Sequence, residues 1–132
     1  MLPETHRSLY SDFRHTLAQL KQTQAETPDA GTTVQTAFQA VQRSFQQILQ
    51  LDWEQLDPQQ VARVQSYQTE INRQFRLLGM DLMFLRAARQ SATETQRRQQ
   101  VSDRIDSLMQ YCEALIERRE EGDKNEGDKD EG

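Results

Sequence analysis

One segment of this chain is apolar on two sides of a single helix, and that limits the fold more than any other feature. Ser66 to Gln90 reads SYQTEINRQFRLLGMDLMFLRAARQ. At about 100° per residue, Ile71, Phe75, Leu78, Leu82 and Leu85 form one stripe. Leu77, Met80, Phe84 and Ala88 form a second stripe on roughly the opposite side. A surface helix meets its core with one apolar face. Two faces place the segment either between other helices or between a core and an outside partner, and the spacing alone leaves both open.

The other helices inferred from the sequence are single-faced. Leu9, Phe13, Leu17 and Leu20 recur at helical spacing within a predicted helix from Pro3 to about Gln24, with His6 and Tyr10 flanking. Thr27 to Gly31, with its Pro and Asp, reads as a loop. A second helix follows, with Thr32 and Gln35 at capping-box spacing. Its seam is Val34, Phe38, Val41, Phe45 and Ile48, and Trp53 is expected to pack across the helix ends. Asp57, Pro58 and Gln60 have the pattern of an N-cap, a first-turn proline and a box-closing residue, so the double-sided helix starts there. Gln68 interrupts its seam and either fixes register or marks a splayed end. A polar turn near Ser91 to Thr95, with Ser91/Glu94 and Thr93/Gln96 as capping pairs, leads into a last seam. That seam is Val101, Ile105, Leu108, Cys112 and Leu115.

These elements predict an all-α, antiparallel four-helix bundle over residues 1–119, built on a long hairpin of helices three and four. Residues 120–132 have no apolar side chain to bury and are expected to form a disordered acidic tail. Hydrophobic residues are only 35% of the chain, against about 45–50% in ordinary domains, so the core must be a narrow seam. With so thin a margin, burying the second stripe in a homodimer is the expected way to complete the fold.

Charge and composition rule out several classes. The net charge of −5 lies entirely in 120–132, and the remainder is balanced. A balanced core predicts neither nucleic-acid binding nor attraction to anionic membranes. Leu77 to Ala88 is broken by Asp81 and Arg86 and falls short of the ~20 apolar residues a membrane span needs, so no membrane insertion is expected. A single cysteine and the lack of a signal-like N-terminus predict a cytoplasmic protein.

Chemistry is hard to find. His6 and His15 both lie in the first helix on different faces and do not follow a Glu by three, which excludes the carboxylate-bridged metal pattern of bundles. Cys112 sits on a seam, as a small buried hydrophobe does. The acid pairs Asp103/Asp106 and Glu113/Glu117 read as outward, solvating groups. The expectation is a non-enzyme with no catalytic residues, metal or cofactor. Arg86, Arg89, Arg97 and Arg98 gather near the turn between helices three and four. They form a solvated tip paired with Glu94 and Asp103, or an anchor for an acidic partner. Nucleic-acid binding is a third reading, against which stand the neutral core and the lack of an aromatic platform beside the arginines.

The double-sided segment, followed by SDRIDSLMQYCEAL at 102–115, resembles the cyanobacterial heterocyst frequency control family, PatD, most clearly over residues 64–116. That resemblance implies a small cytoplasmic helical protein that binds the division GTPase FtsZ and modulates its assembly. In filamentous cyanobacteria it would influence heterocyst frequency. The candidate contact residues come from the residue pattern instead: Arg86, Arg89, Arg97 and Arg98 at the tip, and Leu77, Met80, Phe84 and Ala88 as an oligomer or partner face.

Overall fold

The computed structural model describes residues 2–26 and 31–117 as four helices: α1 (Glu4–Glu26), α2 (Thr32–Leu49), α3 (Pro58–Ala87) and α4 (Ser91–Ile116). Most of the loop expected at 27–31 and the acidic segment 120–132 lie outside the described residues. Neighbours run antiparallel around the bundle. α1 packs against α2 and α4, and α3 packs against α4.

The predicted seams are the core. Tyr10, Phe13, Leu17 and Leu20 of α1 are fully buried, as are Val41 and Ile48 of α2. Val64, Ile71 and Leu78 of α3 meet Val101, Ile105, Leu108, Cys112 and Leu115 of α4 in the same interior. Leu51, Trp53 and Leu56 close the end where α2 turns into α3. Gln68 belongs to this interior as well. Its amide donates to the Tyr10 hydroxyl at 3.2 Å, giving a fully buried phenol the partner it needs. The contact crosses from α3 to α1, so Gln68 fixes register and does not mark a splayed end. Burial pushes the Tyr10 hydroxyl up to about 12.

Helix starts are less regular than expected. The Asp57 box forms as predicted: Asp57 accepts from the Gln60 amide at 2.8 Å, and the Gln60 side chain accepts from Asp57 N–H at 3.0 Å. The other three boxes do not. α2 and α4 start from Gly31 and Gln90, neither with a side-chain cap, and Thr32 and Ser91 are already helical. The carbonyls of Gly31 and Gln90 accept from Gln35 and Glu94 at 3.0 and 2.8 Å, so each first turn closes one residue early. A capping hydroxyl works only from an extended residue outside the helix. The α3–α4 turn is therefore Ala88–Gln90, with Ala88 extended at φ −68°, ψ 132°.

Polar contacts join α4 to both flanking helices. Arg104 donates to Asp81 at 2.9 Å and to Gln74 at 3.1 Å, so the acid that breaks the apolar run of α3 is a buried pairing partner for α4. Lys21 pairs with Asp106 at 2.7 Å, Arg14 lies 3.6 Å from Glu113, and Gln24 donates to Ser102 at 2.8 Å. Asp106 and Glu113, expected to point outward, thus face cations of α1.

Candidate functional site

α2 and α3 meet differently from every other neighbouring pair. No Cα of α2 lies within 8 Å of one in α3. Aromatic rings span the gap instead: Phe75 stacks on Phe38 with centroids 5.4 Å apart and tilts against Phe45 at 5.1 Å. Beyond these rings, toward the α3–α4 turn, the gap is unfilled and forms a groove of about 360 Å³. Val34, Gln35 and Phe38 make the α2 wall. Gly79, Leu82 and Met83 make the α3 wall, with Met80 at the lip and Arg76 and Arg86 along it.

Gly79 keeps the trough open. A Cβ there would meet only the Phe38 ring, at an ordinary contact distance of 3.6 Å. The glycine is therefore not forced by close packing; what it leaves is space.

The second stripe of α3 is divided by its neighbours. Met80, Met83 and Phe84 are 49%, 68% and 45% exposed, large apolar groups set together on one helix. Met80 and Met83 border the groove, whereas Phe84 turns toward α4, where the Arg97 guanidinium lies 4.9 Å above its ring. Leu77 is half-buried, and Ala88, beyond the helix end, is not part of the stripe. Met83 belongs to neither predicted stripe, yet it is the most exposed of the group. Its position three residues after Met80 was the available signal.

The four arginines do not act as one tip. Arg98 turns inward, donating to the main-chain carbonyl of Gln24 and lying 3.9 Å from Glu94, so it ties α4 to the end of α1. Arg97 is held over Phe84 and donates to Gln100 at 3.0 Å. Arg86 and Arg89 are exposed, with no ion pair or side-chain hydrogen bond among the described residues. Arg76, which the sequence pattern did not single out, shares that state and faces the same groove as Arg86.

The local charge is one-sided. Arg43 is the only charged residue of α2. On α3 beyond Ile71, the one acid is Asp81, engaged by Arg104 away from the groove.

Groups with other chemistry lie elsewhere. Cys112 is buried in the core, and burial pushes its thiol up to about 12. His6 is buried at the other end of the bundle, near Leu2 and Asp52; burial pulls its pKa down, and neighbouring Asp52 opposes that only in part. His15 is exposed. Among the described residues no group of three His, Cys, Asp or Glu could hold a metal ion, and no helix is long and apolar enough to cross a membrane.

No curated protein and no solved structure matches the chain. A family model described as the CRR41 C-terminal domain matches residues 12–113, more than three-quarters of the sequence and all of α2 and α3. That description mentions neither PatD nor FtsZ. On the extent of this match, the chain belongs to the CRR41 C-terminal domain family.

Proposed function

We propose that this protein is a non-enzymatic, protein-binding bundle that associates with FtsZ in the cytoplasm and modulates its assembly, with an influence on heterocyst frequency in filamentous cyanobacteria. The observation that carries the binding part is the cluster of Met80, Met83 and Phe84, three large side chains left about half exposed or more on a chain short of apolar residues. Large apolar side chains left exposed along one helix mark a contact face, and methionine suits one because its thioether side chain adapts to its neighbour. FtsZ as the partner rests on the resemblance of residues 64–116 to PatD.

Co-sedimentation with purified FtsZ in the presence of GTP tests this reading. Pelleting of the bundle with polymer, or a changed amount of polymer, is expected. Unchanged FtsZ pelleting with the bundle left in the supernatant would reject FtsZ as the partner.

The second reading is a scaffold or adaptor that binds a different acidic protein. It is favoured by the basic surplus along α2 and α3, whose Arg76 and Arg86 face the groove without a partner among the described residues. Affinity capture returning a different stoichiometric partner, with no FtsZ, would select it.

A further inference from the structure

The geometry points to the α2–α3 groove as a docking site for an acidic amphipathic helix of a partner protein, an inference that rests on the protein-binding reading but not on FtsZ. Shape gives the first reason. The trough is apolar along its floor at Val34, Phe38 and Gly79, with Met83 overhanging it. At about 360 Å³ it has room for a few apolar anchor side chains and not for a whole helix, so an occupant would lie over it and insert one face.

Backbone chemistry gives the second reason. Both walls are α-helices, whose main-chain groups beyond the first turn of α2 bond internally, so the groove offers no continuous edge to an extended strand. A strand would gain no main-chain hydrogen bonds there, whereas a helix brings its own and needs only side-chain anchors.

Charge gives the third. Arg76 and Arg86 stand ten residues apart on the lip, about 15 Å along the helix axis, and neither has a partner among the described residues. An occupant laid along α3 would place carboxylates about ten residues apart, flanking apolar residues at helical spacing. Guanidinium groups bind carboxylates through two parallel hydrogen bonds, which sets the register of the docked helix. The same arginines disfavour a second copy of this chain. A two-fold axis through Met83 would bring Arg76 of one copy near Arg86 of the other, and among the described residues of α2, and of α3 beyond Ile71, there is no unpaired acid to offset them.

The methionines supply the readout. The chain has four, and Met80 and Met83 line the groove while Met109 packs against the core on α4. Full-length protein labelled with 13C at the methionine methyls would be titrated with a synthetic helical peptide of about 14 residues, carrying leucines on one face and glutamates near both ends. Met80 and Met83 are expected to shift while Met109 does not. Binding should weaken about tenfold or more in the Arg76→Glu/Arg86→Glu variant, or when lysines replace the glutamates. Gly79→Leu should block the peptide while leaving the thermal unfolding transition intact, which keeps the test valid should the double charge reversal disturb folding.

Several outcomes would overturn the inference. They are no Met80 or Met83 shift at millimolar peptide, equal affinity for the lysine peptide, equal response to a single-stranded oligonucleotide, or shifts that follow protein concentration without any peptide. The last would give the groove to a second copy. FtsZ that co-sediments equally with wild type and with both variants would leave the FtsZ reading standing and place its contact elsewhere. Peptide binding without FtsZ binding would do the reverse.

Discussion

The α1–α4 and α2–α3 sides of this bundle solve the same problem with different materials. α1 and α4 approach closely and are laced by Lys21–Asp106, Arg14–Glu113, Gln24–Ser102 and the Arg98 contact to the Gln24 carbonyl. α2 and α3 stand apart, joined through Phe38, Phe45 and Phe75, with no salt bridge between them among the described residues. The close seam leaves only a hollow of about 310 Å³ whose lining is largely polar, at Ser11, Arg14, His15 and Glu113, with no large exposed apolar side chain in it. A seam of rings holds helices together only where the rings are, and here they stop short of the α3–α4 turn. The groove is the unfilled remainder of that second solution.

Substitutions on the two sides should separate accordingly. Phe75→Ala, which removes the ring shared by Phe38 and Phe45, should cost about 2–3 kcal/mol in urea unfolding, at or below the lower end of the range for a truncated phenylalanine because the ring is only partly buried. A loss smaller than that of Arg98→Ala would break the comparison, because the rings would then not be what joins α2 to α3. Arg98→Ala should itself cost about 1.5 kcal/mol, since a largely buried guanidinium is lost together with its hydrogen bond to a helix-end carbonyl.

Gly79→Ala should raise stability by up to about 1 kcal/mol, because alanine favours the helix and its methyl meets Phe38 without crowding. A fall in the urea midpoint would mean that the α2–α3 gap is tighter than the ring contact indicates. The smallest effect is expected at Lys21→Ala, at most about 0.5 kcal/mol and vanishing in high salt, since both partners of its ion pair are more than two-fifths exposed. The last measurement sharpens the contrast by showing that lacing on the close side contributes through Arg98 and not through every visible pair.

Much of this was legible in the residues. The 4, 3, 4, 3 spacing of Val101, Ile105, Leu108, Cys112 and Leu115 identifies buried positions because helical periodicity and burial have one cause. The α3 start was readable too, since Asp57, Pro58 and Gln60 each act on their own local backbone. What spacing cannot state is which neighbour a face meets. Met80 and Phe84 share a stripe, yet one borders α2 and the other lies under Arg97 of α4. Asp81 looked like an interruption because its partner, Arg104, is 23 residues away. Arg98 looked like part of an open tip because the carbonyl it reaches belongs to Gln24, 74 residues earlier. Each of these depends on a long-range pairing that no local pattern contains.

Cys112 has a practical consequence. As the chain's only cysteine, sealed in the interior with its thiol held protonated well above neutral pH, it should resist iodoacetamide for as long as the helices remain assembled. Alkylation of the untagged protein therefore measures how often the molecule opens. A docked partner that stabilises the closed state should slow that labelling in proportion to its occupancy.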